Sequence, residues 1–272
     1  MELILALKED ITVPVELDVI LPEKIQNMSE EDIKNIEIPQ GRVKIKIGDI
    51  FDVELKDSEI PKMTVKNSST KLKRIGENMT TGEIVVEGDV GMHLGVEMKG
   101  GKIVVNGNAD NWAGQGMKGG EIIIKGNAKD YIGSTYRGGY KGMSGGTLIV
   151  EGDVGHEIGE HMTKGIIHVK GNAKSHVGIH LSGGIIIIDG DVEDRIGGEM
   201  VKGAIVIKGK VASVSPTFKF EGIVEDPIIK VRKKDEGIKV EGKYYKYSGD
   251  YCQTKPKGQL YISVESNPDL RK

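Results

Sequence analysis

From residue 76 to residue 211 the apolar residues come in short runs that return at a fixed interval. Each run is about five residues long, follows a glycine and ends in a polar turn of the type Gly-Asp-Val or Gly-Asn-Ala. The glycines that open equivalent units are Gly82, Gly101, Gly120, Gly146, Gly165, Gly184 and Gly203, spaced by 19, 19, 26, 19, 19 and 19 residues. Three further apolar columns keep the same step. One runs Val86, Val105, Ile124, Val150, Val169, Ile188, Ile207, another begins Val90, Ala109, Ala128, and a third begins Leu94, Ala113, Ile132. A methionine column (Met79, Met98, Met117, Met143, Met162, Met200) is broken only by Leu181. Nineteen residues leave no room for a crossover helix between parallel strands. They suit a coil of short strands and tight turns, stacked on its neighbours roughly 4.8 Å apart.

The expected fold is therefore all-β: a single-stranded parallel right-handed β-helix, or β-solenoid, of 19-residue coils. It carries a small α+β N-terminal cap and a β-rich C-terminal tail. Residues 1–60 form the cap, 61–215 the repeat domain and 216–272 a tail that packs on the scaffold or on a partner. One coil cannot bury enough apolar surface to offset the ordering of its own backbone, so coils must stack and the open ends need covers. In the cap, Glu2–Ala6, Val15–Val19 and Arg42–Ile47 read as strands. Ser29, with Asp32 three residues on, reads as the N-cap of a short helix ending near Ile36. Residues 61–81 read as a worn first coil. In the tail, Ile228–Arg232, Tyr244–Tyr247 and Gln259–Val264 read as strands.

Composition narrows the function classes. Of the 39 glycines, most serve the repeat, so they hold backbone shape and do not cradle phosphate; no P-loop or strand–GxGxxG–helix context exists. A net charge of −3 argues against nucleic acid as a partner. Cys252 is the single cysteine, which excludes an internal disulfide and any cysteine-ligated cluster or zinc site made by this chain alone. No run approaches transmembrane length. The start, MELILALKED, has no basic n-region, so no secretory signal, no membrane and a cytoplasmic location are expected.

Several constellations break the monotony of the repeat. His161, His180 and Glu199 hold equivalent places in successive coils. Two histidines and a carboxylate suit a metal, although stacked polar side chains on a corner are commoner, so these three are secondary metal candidates. His93, Trp112 and Tyr131 share a column with Glu157, His176 and Arg195, and a Trp there favours an interface. The long interval comes from a seven-residue insertion: Ser134–Gly145 reads STYRGGYKGMSG. Its Tyr136, Arg137, Tyr140 and Lys141 have the composition of a docking element. The outward strand positions grow apolar toward the C-terminal end, at Ile166, Ile185 and Ile187, which implies cover by another element or another polypeptide. No nucleophile has a base nearby in sequence, and no catalytic residues are assigned.

The motif GxIxVxGDV…GxxMxGG resembles the C-terminal β-helix domain of the glutamate synthase large subunit over residues 76–211. A narrower likeness covers nearly the whole chain. A nonrepetitive head, seven GxxMxxGxIxVxG copies such as Gly95–Gly107, and a tail with YKYSGDY and GQLYISVE resemble the C-subunit family of formylmethanofuran dehydrogenase. Leu181, and Tyr140 in place of a motif-opening glycine, are small departures. The resemblance implies membership of an oxidoreductase complex that reduces CO2 with ferredoxin electrons and forms N-formylmethanofuran in the first step of methanogenesis. It implies that this chain is noncatalytic and holds no cofactor. Its partners would be a tungsten- or molybdenum-pterin subunit, an amidohydrolase-like zinc subunit and iron–sulfur subunits. Two other readings fit the repeat alone: a free-standing glutamate-synthase-type domain in an amidotransferase assembly, and a β-solenoid acyltransferase. The latter usually has a six-residue period, of which nineteen is no multiple.

Overall fold

The computed structural model describes residues 1–231 and 235–270. The head contains β1 (Glu2–Leu7), β2 (Val15–Glu16), α1 (Glu30–Lys34), β3 (Glu37–Gln40), β4 (Val43–Lys46), α2 (Ile47–Ile50) and β5 (Phe51–Lys56). Then come β6 (Lys62–Ser68), β7 (Leu72–Lys73), β8 (Glu83–Gly88), β9 (Lys102–Val105), β10 (Glu121–Ile124), β11 (Ser144–Val150), β12 (Lys164–Val169), β13 (Ser182–Ile188) and β14 (Lys202–Ile207). The tail adds β15 (Lys219–Glu225), β16 (Ile228–Ile229), β17 (Ile238–Lys239), β18 (Lys243–Gly249) and β19 (Lys257–Ser263).

The fold is nearly all-β and is dominated by one large, mostly parallel sheet, an arrangement consistent with a β-solenoid. Thirteen strands run in the order β15-β18-β19-β14-β13-β12-β11-β10-β9-β8-β6-β1-β5. From β1 to β19 along this sheet every pairing is parallel. Successive coils stay in register, so Ile84, Ile103, Ile122, Leu148, Ile167, Ile186 and Ile205 stack in one line, all fully buried. Lines of β-branched residues on a pleated surface favour strands. The insertion leaves this register untouched, because Glu121–Ile124 still pairs with Thr147–Val150.

The opening glycines and the methionines explain each other. Gly120 has φ +82°, and a Cβ there would sit 2.7 Å from both Gly101 O and Met98 Cε of the preceding coil. Gly146 repeats this against Gly120 O and Met117 Cε, also at 2.7 Å. Each methionine thus fills the space that the next coil's glycine leaves open, a use to which its unbranched chain is suited.

A polar line seals another corner. The backbone N–H of Asn127 donates to Asn108 Oδ1, that of Asp153 to Asn127 Oδ1, and that of Asp191 to Asn172 Oδ1, each at 2.8 Å. Asp89 and Asp153 take part in the same way toward Asn108 and Asn172. The alternation Gly-Asp-Val and Gly-Asn-Ala is therefore a side-chain-to-backbone ladder as well as a turn.

Both ends extend the sheet. β1 adds Leu3 and Leu5 beside Met63 and Val65, so the head continues the parallel order before β5 turns back antiparallel. β2 is shorter than the strand expected over Val15–Val19; past it the chain turns and drives Leu17, Ile20, Leu21 and Ile25 into the core. The strand expected to Ile47 stops at Lys46, which is the N-cap of α2. α1 has the expected cap, with Ser29 Oγ accepting from the Asp32 N–H at 3.1 Å and Asp32 returning the bond. In the tail, only Ile228–Ile229 of the Ile228–Arg232 stretch is strand, and Arg232 lies outside the described residues.

The last coil ends on two borrowed acceptors. In earlier coils the N–H at the place of His180 finds the next coil's carbonyl, as in His180 N–H to Gly198 O at 2.9 Å. Glu199 has no next coil, and its N–H donates to Asp250 Oδ2 at 2.9 Å. Likewise Val192 N–H reaches Lys210 O at 2.8 Å, whereas Val211 N–H reaches Asn267 Oδ1 at 3.0 Å. A tail carboxylate and a tail amide stand in for missing backbone.

Candidate functional site

Two corners of the repeat place ordinary side chains on left-handed backbone. One column is Arg74, His93, Trp112, Tyr131, Glu157, His176 and Arg195, with φ between 53° and 67°. The other includes Asn78, Glu97, His161, His180 and Glu199, with φ between 54° and 61°. Such a conformation is strained for side-chain-bearing residues. Before the last coil these N–H groups are fixed by the coil above, for example Trp112 N–H to Asp130 O at 3.0 Å and His161 N–H to Ile179 O at 3.1 Å. The repeat thus holds these side chains in line, one coil apart.

In the first column His93 stacks on Trp112 (ring centroids 5.3 Å apart) and Trp112 on Tyr131 (4.9 Å). Offset stacking of this kind adds to area burial. His93 Nδ1 lies 2.9 Å from Gln115 Oε1, and burial outweighs that bond and holds its imidazole below the ordinary value. The negative charge of Glu157, helped by burial, pushes the Tyr131 hydroxyl up. Further along, Arg195 donates to His176 Nε2 at 3.2 Å.

In the second column His161 and His180 stack with centroids 4.6 Å apart and planes 10° off parallel. His180 Nδ1 lies 3.7 Å from Glu199 Oε2, which also accepts from Gln253 Nε2 at 3.2 Å. An imidazole binds metal in its own plane. Two rings held face to face cannot converge on one ion, and among the described residues no group of three His, Cys, Asp or Glu is arranged to hold a metal. Burial, then the neighbouring His180, lowers the His161 pKa; burial, then Glu157, raises that of Glu160 beside it.

The insertion links the two columns. It leaves the coil at Ser134, whose hydroxyl donates to Tyr131 O at 2.7 Å, and returns where Met143 N–H reaches Gly133 O at 2.8 Å. Tyr136 lies against His93 and Trp112 (5.9 and 6.1 Å), and the Arg137 guanidinium sits 5.7 Å over the Trp112 ring. Tyr140 meets His161 edge-on at 5.8 Å. The loop and both corners form one surface. It can bind, stack and hold charge; it pairs no nucleophile with a base.

Three residues expected at an interface are covered by this chain itself. Trp112 is only 8% exposed, because Tyr136 and Arg137 close over it. Ile185 and Ile187, 8% and 5% exposed, lie beneath the tail, where Ile229 and Val240 join them with Ala204 and Val206 in a second core. The outward apolar shift along the repeat thus has an intramolecular cover. Ile166 borders the cleft between sheet and tail together with Val231 and Ile238. Tyr136, Arg137, Tyr140 and Lys141 are exposed. Sequence reasoning passed over Asp250 and Asn267, whose signal, a polar residue buried in a tail without repeats, becomes visible only when the last coil is seen to lack a successor.

Among the described residues no helix is long and apolar enough to cross a membrane. No family model matches the sequence. The chain is 68% identical over 269 residues to the C subunit of tungsten-containing formylmethanofuran dehydrogenase 2 of Methanococcus maripaludis, covering 99% of each chain. It is 72% identical over 236 residues to the protein of that name from Methanocaldococcus jannaschii, covering 86% of each. Among solved structures, a chain of the formyltransferase/hydrolase complex of Methylorubrum extorquens in complex with methylofuran matches with TM-score 0.84 at 28% identity, over 96% of this chain and 99% of that one. With identity of this order along nearly its whole length, the chain belongs to the C-subunit family of formylmethanofuran dehydrogenase.

Proposed function

We propose that the chain is the noncatalytic structural subunit of a cytoplasmic formylmethanofuran dehydrogenase complex, which reduces CO2 with ferredoxin electrons and forms N-formylmethanofuran. In this reading residues 61–215 wind as a right-handed β-solenoid, residues 1–60 cap one end, and 216–272 cap the other and cover part of its outer face. The metallopterin, the iron–sulfur clusters and the zinc site belong to other subunits, and the tungsten form is favoured because both relatives above carry that name. The observation that carries the reading is the near full-length family match. A surface of stacked, hydrogen-bonded side chains without an activated nucleophile is what a scaffold needs: rigidity in the free protein lowers the ordering cost of association.

The test is purification of the tagged full-length chain from native cells under mild conditions. The metallopterin and amidohydrolase-like subunits are expected to come down with it in fixed ratio. A solitary chain, free of both, overturns the proposal.

A further inference from the structure

Resting on that reading, we propose that the loop Ser134–Gly145 is the anchor by which this chain docks a neighbouring subunit, and that the docked face is an apolar pocket rimmed by carboxylates. Tyr140 is 82% exposed, more than any other large apolar or aromatic side chain among the described residues, and Tyr136 is 54% exposed. An exposed ring costs nothing in a flexible loop, but this loop is held. Gly139 N–H donates to Tyr136 O at 2.8 Å, and Gly142 N–H to His161 O at 3.0 Å. Tyr140 itself rests edge-on against His161, which is stacked in turn on His180. A rigid tyrosine presents large contact area with little entropy left to lose, and tyrosine with arginine is the composition of binding hot spots.

Charge specifies the partner. Arg137 and Lys141 flank the tyrosines, and among the described residues neither has a carboxylate within ion-pair distance, whereas other cations of the repeat do, as in Lys102–Glu121 and Lys170–Glu151. The Arg137 guanidinium lies over Trp112, which leaves its N–H edge free for a bidentate carboxylate. Two cations around a protruding ring match an acidic rim around an apolar pocket. The loop adds seven residues to a coil whose neighbours close without them, and the sheet register passes beneath it unchanged, so the fold does not depend on the insertion.

The experiment uses the intact complex, with the tagged full-length chain on a support and the other subunits released by rising salt. The double variant Arg137→Glu/Lys141→Glu, and separately Tyr140→Ala, are expected to weaken retention about tenfold or more, and Tyr140→Phe to keep most of it. The charge-reversed variant should also lose much of the salt dependence. Thermal unfolding of each free chain serves as the fold control; these side chains are exposed and make only surface ring contacts, so each variant should keep a cooperative transition close to that of the wild type. A photo-reactive phenylalanine derivative at position 140 should cross-link to an acidic surface of one other subunit. Wild-type retention of all variants, or a cross-link to a second copy of this chain or to nothing, overturns the docking proposal and leaves the subunit reading standing. Failure of the wild-type chain to bring down any other subunit overturns both.

Discussion

Gly120 shows how little freedom single positions have in this repeat. Its φ of +82° and the 2.7 Å approach to Gly101 O leave no place for a methyl group. Gly120→Ala is expected to destabilise the chain by roughly 1–3 kcal/mol through backbone strain and displacement of Met98, read as a lower midpoint in denaturant. Asp250 is the complementary case, a residue valuable for what it accepts. Burial raises its pKa, but the Cys252 N–H, Thr217 hydroxyl and Glu199 N–H outweigh burial and hold it below the usual 3.8. Its contribution is therefore present above pH 3.8 and lost as pH falls through the folded value. Asp250→Ala should cost about 1–3 kcal/mol at neutral pH by orphaning the Glu199 N–H, and the variant's acid limb should be shallower than the wild type's.

At the level of elements, the hairpin β16–β17 has one visible task. It lays Ile229, with Val240 just beyond it, on the outward side of β13 and β14, and those strands are apolar on both faces for that reason. Removal of residues 226–242 is expected to uncover Ile185, Ile187, Ala204 and Val206 while leaving the inward columns stacked. The measurement is binding of a hydrophobic dye together with far-ultraviolet circular dichroism: dye binding should rise and the β signal persist. Loss of the β signal would mean that the hairpin is needed for the coils themselves. The terminal strands β5 and β15 solve a different problem. They run antiparallel at the two edges; β5 alternates charged with apolar residues and β15 carries Lys219, Glu221 and Glu225, and charges on an edge blunt further strand addition.

For the molecule as a whole, acid should loosen the corners before it reaches the sheet. Burial holds both His93 and His161 below their ordinary 6.5. The unfolded chain therefore takes up more protons just below that value, and the stability these two contribute is complete above pH 6.5 and lost as pH falls through their folded values. Glu160, raised above 4.5, works in the opposite sense: its contribution is complete below pH 4.5 and is lost as pH rises through its folded value. The net expectation is a fall in thermal midpoint between neutral pH and about pH 5.5 that is smaller in His93→Gln/His161→Gln. An unchanged slope in the double variant would remove the histidines as its cause.

Much of this architecture could be read from residue order. A period of nineteen with β-branched runs, glycine corners and a methionine column specifies stacked parallel strands, because period and propensity are local properties that every coil repeats. The capping box of α1 and the insertion were legible for the same reason. The ends and the covers were not. That β1 and β19 extend the parallel order, that Asp250 and Asn267 replace an absent coil, and that the tail of this same polypeptide shields Ile185 and Ile187 are all long-range facts. So is the placement of Tyr136 and Tyr140 across two columns, where Tyr136 meets His93, 43 positions away in the chain. Local sequence fixes the repeating unit, since each coil meets the same neighbours; only tertiary contact decides how a finite stack ends and which of its surfaces stay open, since those depend on groups the repeat itself does not contain.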